Sequence, residues 1–513
     1  MTYRSKLLVA VLLFTSILHA EPEIQITPDT FEEQLKIATQ GDTDAQYNIG
    51  ISYITGTGTE INFEKAFQWL KKATEQANMP VQYNLGKCYQ SNNQTKQDVK
   101  KTFELYSKTH TQELGAAQFS LGTCYEFGLG TKKDTKKAFE YYAQAAKQGY
   151  APAQFFLGTC YQDGNGTEVD IQKAFYWYTK SAKQANAEAQ FNIGTCYELG
   201  KGTEIDYQKA FYWYSQSAQQ EYAPALYNLG ACYQLGKGTK QDLKKAFELY
   251  SKTALLELSI AQFNLGACYE LGLGTEKNIE KAFDYYTQAA QKSDPHAQNS
   301  LGQCYQFGHG IAQDLRQAIQ LYAQAAEQNL ALAQFNLGVC YEYGLGTKKD
   351  LEKAFQSYSK AADQEFAAAQ YNLGIFYQSG KGTPQDLNKA FQLYSKAAEQ
   401  NLYAAQYNLG ICYQNGIGTE KNIKKSFEWL SKAADQEHSE AQLIVGYSYL
   451  NGIGTEKDLN KAFKNFEKSA KQDNSDAQFF LGTCYEEGYG TEKNIDQAFD
   501  WYKKAASLRI KKR

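Results

Sequence analysis

A glycine preceded by leucine, isoleucine or, once, Val445 returns every 36 residues, at Gly50, Gly86, Gly122 and onward to Gly482, thirteen times without an insertion. A register this strict excludes the mosaic of unrelated globular domains that 513 residues would otherwise suggest. It calls for a stack of like units, each burying its apolar surface against the next. Positions are given below as offsets from this glycine.

In Ala153-Gln154-Phe155-Phe156-Leu157-Gly158-Thr159-Cys160-Tyr161, offsets −5, −1, +2 and +3 share one face at about 100° per residue, which predicts a leading helix. A Gly-x-Gly-Thr turn such as Gly128-Leu129-Gly130-Thr131 ends it, because glycine takes the positive φ that stops a helix. Asp or Asn stands at +12 in all thirteen units, Asp134 and Asn278 among them, and caps a trailing helix. That helix carries the stripe Ile171, Ala174, Phe175, Tyr178 and Ala182 at +13, +16, +17, +20 and +24. The fold expected is all-α: an α/α superhelical solenoid of thirteen 36-residue helix-turn-helix repeats over 42–507. A capping half-repeat is expected in 21–41 and a short basic tip at 508–513. The second unit departs most, with Asn92, Gln94 and Thr102, and the eighth has Asn299, Ile311, Gln317 and Ile319 at otherwise uniform offsets. A soft joint is expected at these two.

Residues 1–20 stand outside the period. Arg4 and Lys6 precede a largely apolar run from Leu7 to Leu18, and Ala20 stands before Glu21-Pro22, the layout of a cleaved secretory signal peptide. The expected location is periplasmic or secreted, or the secretory-pathway lumen of a eukaryote. An uncleaved anchor is the alternative, since Leu18 and His19 make an imperfect cleavage context. No later stretch is long and apolar enough to cross a membrane, so no membrane span is expected after signal cleavage. With 53 basic against 56 acidic residues there is no field to draw in nucleic acid.

The unit from Ala405 to Ala434, in which the glycine pair Gly416 and Gly418 and the cap Asn422 follow Tyr407-Asn408-Leu409-Gly410, resembles the Sel-one-like repeat (SLR) family. The resemblance covers about 42–507 and implies a right-handed α/α superhelix serving as a non-catalytic adaptor or scaffold for protein complexes. Family settings include degradation complexes of the eukaryotic secretory pathway and bacterial envelope or host-interaction proteins. Thr at +9, as in Thr59, Thr131 and Thr491, departs from the family's usual Val.

All ten cysteines (Cys88, Cys124, Cys160, Cys196, Cys232, Cys268, Cys304, Cys340, Cys412 and Cys484) sit at +2. Equivalent points on stacked helices lie roughly 8–10 Å apart, beyond the Cα separation of about 7 Å that a disulfide tolerates. Free, buried thiols are expected. Disulfide-rich members of the resembled family place cysteines where Ala146 and Ala153 stand here, so that cross-link is absent. Those members have been linked to penicillin binding and weak β-lactam hydrolysis, which makes a β-lactam-binding or hydrolysing envelope protein one alternative. A peptidoglycan- or glycan-binding envelope protein is another.

The residues oppose catalysis. A nucleophile needs a base within reach, yet nearly every polar residue is repeated and His110, His296, His309 and His438 fall at four different offsets. No enzyme, cofactor or metal site is expected. Nor do the Gly-x-Gly-Thr turns make a P-loop, which needs a Gly-Lys-Ser/Thr ending after a strand.

Two surfaces are the binding candidates. Offsets −3, +1 and +4 lie opposite the core stripe of the leading helix. There −3 is aromatic in eleven units, as in Phe155, Phe191, Tyr227 and Phe263, and Glu126, Glu198, Glu270 and Glu342 at +4 alternate with Gln162, Gln234 and Gln306. This row suits an extended protein or peptide partner that is basic or amide-rich. The competing reading of the rings is packing between successive leading helices. On the outer face, +18 is aromatic only at Tyr176 and Tyr212, each followed by a tryptophan, Trp177 and Trp213. Four such rings suit a protein hot spot or stacking on sugars.

Overall fold

A computed structural model of the chain describes residues 28–73, 82–86, 96–109 and 114–511. The signal segment, the changed turn at Asn92 and Gln94, Cys88, His110 and the last basic residues lie outside them. The described residues form helical hairpins in register with the period and contain no strand. The all-α solenoid of thirteen repeats is the fold observed. A further helix, Pro28–Thr39, packs Phe31 and Ala38 on the first repeat, within the stretch read as a capping half-repeat.

The fifth repeat shows how the sequence makes a hairpin. Its leading helix, Ala187–Leu199, stops at Gly200, whose φ of 68° lets its amide return to the Cys196 carbonyl. The trailing helix, Tyr207–Gln219, begins where the Asp206 carboxylate accepts the Lys209 amide at 2.9 Å. The same +12 cap recurs from Asn62 to Asn494 in every repeat but the second, whose trailing helix, Lys96–Thr109, already includes Asp98. The helices of a hairpin cross so closely that a Cβ on Gly194 would lie 2.6 Å from the Tyr214 ring, which is why the periodic residue is glycine. The second turn glycine meets the preceding repeat: a Cβ on Gly202 would stand 2.6 Å from the Ile171 carbonyl oxygen.

The apolar core runs on from each repeat into the next. Ala174, Tyr178 and Ala182 of the fourth repeat's trailing helix bury against Ala189, Ile193 and Cys196 of the fifth repeat's leading helix. Neither helix buries its stripe alone, so the hairpin is stable only in a stack.

A second, polar ladder follows the core, and the sequence reading missed it. Gln154, at −4, donates to the Ala146 carbonyl of the preceding repeat at 3.2 Å and accepts from Gln184, at +26 of its own repeat, at 2.9 Å. Gln190 and Gln220 do the same in the fifth repeat, and Gln406 and Gln436 in the eleventh. Buried amides satisfied in this way hold the stack in register without leaving an orphan group.

The chain divides into two compact units, the first ending at Leu256 and the second starting at Glu257. The division falls between the sixth and seventh repeats, not at the second or eighth, where the sequence departures had placed a soft joint. The eighth repeat keeps both helices, Pro295–Phe307 and Leu315–Glu327, and its odd Asn299 is buried and accepts from Asn336 at 2.9 Å. Both repeats at the division have an interrupted amide pair, as has the thirteenth, where Leu508 stands at +26 and the Gln478 carbonyl oxygen is unpartnered. Leu226 and Leu256 replace both glutamines in the sixth, and in the seventh Lys292 stands at +26 and leaves the Gln262 carbonyl oxygen unpartnered.

Candidate functional site

The leading-helix face is built on the trailing-helix tyrosine at +20. Phe155 leans on Tyr178 and Phe191 on Tyr214, both with centroids 5.8 Å apart; Tyr227 meets Tyr250 at 5.7 Å and Phe263 meets Tyr286 at 5.8 Å. The ring at −3 therefore rests on the tyrosine of its own repeat, half-buried, with its outer part on the surface. The rings also meet the next leading helix, as anticipated: Phe263 lies 5.7 Å from His296 and Phe119 5.1 Å from Phe156.

That tyrosine also explains the +4 row. Its hydroxyl donates to Glu126 from Tyr142, to Glu198 from Tyr214 at 2.8 Å, to Glu270 from Tyr286 at 2.6 Å and to Glu342 from Tyr358 at 2.8 Å. Gln234 and Gln306 accept the same bond from Tyr250 and Tyr322, at 2.7 and 2.6 Å. Glutamate and glutamine thus do one structural job at +4, and only the glutamates add charge. Burial raises the Glu126 carboxyl above its usual range, against the pull of Tyr142 and Lys133. Glu198 is met by Lys237 at 3.3 Å. Burial and the bonded carboxylate push the Tyr286 and Tyr358 hydroxyls well up, so they remain donors at any ordinary pH.

Charge is sorted by helix. The described leading helices, 43–55 and those within 115–487, hold no lysine or arginine, whereas the trailing helices hold many. A lysine at +15 often folds back: Lys173 pairs with Asp170 at 3.1 Å and lies 5.3 Å from the Tyr161 ring centre. The carboxylates at +4 consequently share their face with aromatic and amide groups and with no cation of the leading helix.

On the outer face Tyr176 and Tyr212 are exposed, at 52% and 54%. Each stands edge-on to its neighbouring tryptophan, Trp177 at 5.1 Å and Trp213 at 5.2 Å, and both tryptophans are partly buried against the core. The tryptophans are packing residues. Lys180 lies 5.6 Å from the Tyr176 ring, and among the described residues no ring contact joins the two pairs.

Thirteen consecutive matches to the Sel1 repeat model run from residues 43–78 to residues 475–509. The chain belongs to the Sel1 repeat family. Sel1 repeats make a non-enzymatic scaffold family whose solenoids typically serve protein interactions. The crystal structure of c5321, a protective antigen of uropathogenic Escherichia coli strains with an SLR fold, is similar at 34% identity and TM-score 0.61. That match covers 80% of this chain and 89% of that one. A Sel1 repeat protein from Oxalobacter formigenes matches at 28% identity, covering 60% of this chain and 89% of its own, with TM-score 0.45. No match to the sequence was found among curated proteins.

The remaining reactive groups of this Sel1 repeat chain are dispersed. Nine cysteines are described, all free and buried, and burial pushes Cys124 up to about 12 and Cys196 to about 11. A thiol held protonated is a poor nucleophile. At pH 8 the folded protein should therefore react with a thiol reagent far more slowly than the denatured protein, which should take up ten equivalents without prior reduction. Disulfides in the intact mass would overturn this. His296 lies against Phe263, His309 against Phe307, and His438 caps a helix by accepting the Ala441 amide at 3.2 Å. His296 and His309 share the eighth repeat but make separate contacts, and among the described residues no cluster could hold a metal ion.

Proposed function

We propose that this chain is a non-catalytic, exported scaffold whose leading-helix faces hold an extended, basic segment of a protein partner. The observation that carries the reading is the sorting of charge: carboxylates recur at +4 on helices that carry no cation. Half-buried rings at −3 and amides at −2, such as Asn192 and Asn228, add apolar and hydrogen-bonding surface to the same face. A bound basic segment would be attracted in proportion to the carboxylates it meets, and salt would screen that attraction. Export is supported by the signal-like pattern from Arg4 to Ala20 and by the similarity to a protective antigen. The intact mass that counts the thiols also reads the mature amino terminus, which should follow Ala20.

The test uses each unit's own pair of glutamates. Glu126→Gln with Glu198→Gln, and separately Glu270→Gln with Glu342→Gln, should keep the fold, because glutamine already accepts the phenol bond at Gln234 and Gln306. Affinity for lysine- and arginine-rich 15-residue peptides at low salt should fall about tenfold, and its salt dependence should flatten. Binding that is unchanged in both pairs would remove this face. If Tyr176→Gln with Tyr212→Gln then weakened binding of a sugar or protein probe at unchanged thermal stability, the outer face would take its place. That second reading rests on the exposure of the two rings.

A further inference from the structure

At −8, the residue just before a leading helix, an aromatic side chain packs on the −3 ring of the preceding repeat. Tyr150 meets Phe119 at 5.6 Å, Tyr222 meets Phe191 at 5.7 Å and Phe366 meets Phe335 at 5.5 Å. A polar side chain there caps the helix that follows: Asp42, Asn186, Asp294 and Asn474 each accept an amide of its first turn, at 2.7 to 3.0 Å. His438, before the leading helix Ser439–Asn451 of the twelfth repeat, does both. Its ring stacks on Tyr407 with centroids 4.6 Å apart, and its Nδ1 accepts the Ala441 amide at 3.2 Å. Among the described residues no other side chain at −8 combines a ring contact with a cap.

The cap requires an Nδ1 without a proton. An imidazolium would lose the acceptor, aim a donor at the Ala441 amide and bring a cation to the positive end of a helix. The ring is half-buried, and that burial holds the His438 imidazole below its usual value of about 6.5. The opposing pull comes from Glu440 on its own helix, whose carboxylate lies 3.8 Å from Nδ1. Glu437, one residue earlier, is turned to Lys468 of the trailing helix Leu459–Lys471 at 3.1 Å and to Gln442 at 3.0 Å. The preceding leading helix, Tyr403–Asn415, adds the Tyr403 and Tyr407 rings, and the trailing helix Ile423–Asp435 brings Leu430, Ala433 and Ala434, none of them titratable.

We propose that His438 makes the contact between the eleventh and twelfth repeats a pH-sensitive joint, closed while the imidazole is neutral and loosened when it takes a proton. Opening the first turn of the helix releases the ring to its ordinary value of about 6.5, so below that pH the open form binds a proton that the closed form takes up only at lower pH. The stabilisation is therefore complete above about pH 6.5 and is lost as the pH falls through the interval beneath it. That turn carries Ala441 onto Leu430, Ala433 and Ala434, and the ring it releases covers Tyr407 at −3. The apolar contact between the two repeats thus weakens at its edge when the cap is lost. The inference is independent of what the leading-helix face binds.

Hydrogen exchange on the full chain, corrected for the intrinsic effect of pH on exchange, reads the joint at about pH 7.5 and about pH 5.5. Protection over 438–446 should fall several-fold at the lower pH in the parent, while the tenth repeat's leading helix, Ala367–Ser379, keeps its own. His438→Asn installs the cap seen at Asn186 and Asn474 and should hold 438–446 at the protected level at both pH values. His438→Phe copies Phe366, which keeps a ring contact without a cap, and should leave the segment at the lower level at both. Either variant serves should the other fail to fold, since both remove the pH dependence. In the parent, the His438 ring resonances should titrate with a midpoint below about 6.5. A midpoint at or above that value would overturn the proposal. So would an unchanged parent, an equal loss over 367–379, or a pH-dependent loss that persists in the variants and so belongs to the carboxylates.

Discussion

Gly346→Ala should destabilise the second unit by about 2–5 kcal/mol, combining the left-handed conformation forced on an L-residue with overpacking against backbone. Gly346 has φ +70°, and an added Cβ would run into the carbonyl of Leu315, the first residue of the preceding repeat's trailing helix, with the Arg316 amide 3.0 Å away. Backbone at the start of a capped helix cannot swing aside as a side chain could. Gly344→Ala is the control: it shares the conformation, at φ +73°, but its nearest neighbour is 3.3 Å away. Only the conformational part, about 1–2 kcal/mol, should be lost there. Conformation alone is tolerable in this chain, since Ala185 and Glu365 hold φ 61° in the loops between repeats. Urea unfolding compares the variants, and hydrogen exchange over 315–350 should place the weakness at the contact between the eighth and ninth repeats. Equal losses for the two variants would show that the approach of the repeats contributes nothing.

Tyr358→Ala should cost about 3–5 kcal/mol, the price of emptying a large buried aromatic site. Tyr358 is fully buried, touches Phe335 and Phe376, and lies against Gly338, whose lack of a side chain makes room for it. Tyr358→Phe keeps the ring and removes one bond, leaving Glu342 without its donor, and should cost about 1–2 kcal/mol. Adding Glu342→Leu to Tyr358→Phe should recover part of that loss. The chain has made this exchange twice: where +20 is Leu70 or Phe466, +4 is Ile54 or Leu450, whereas Leu430 keeps Gln414 at +4. A double variant no better than Tyr358→Phe would separate the phenol from the +4 residue and leave their joint change unexplained.

Much of this architecture was legible in one repeat. The glycine spacing, the cap at +12 and the identical offset of the cysteines are local features, and a helix translates them directly into faces. Contacts whose partners lie 30 residues apart were not legible. Gln154 and Gln184 look like ordinary surface amides until the trailing helix folds back and brings the Gln184 amide onto the buried Gln154. The glutamates at +4 read as free charge for the same reason, because their phenol donors are 16 residues away on the other helix. At the candidate site, the exposure of Tyr176 and Tyr212 followed from helical geometry. The division after Leu256 was also missed.

The amide ladder bears on how such a chain can change in length. Each glutamine pair closes within one repeat and takes a backbone carbonyl from its neighbour, which any neighbour supplies, although Gln334, Gln406 and Gln442 also donate to Asn329, Asn401 and Glu437 there. A repeat can therefore be copied, lost or exchanged by recombination without stranding a polar group in the repeats beside it. Leu226 and Leu256 fit the same rule: both halves of one pair were lost together and the glutamines of the fifth repeat kept their bonds. Selection can thus treat the hairpin as a unit of inheritance, adjusting the number of copies while the surface of each drifts toward its own partner.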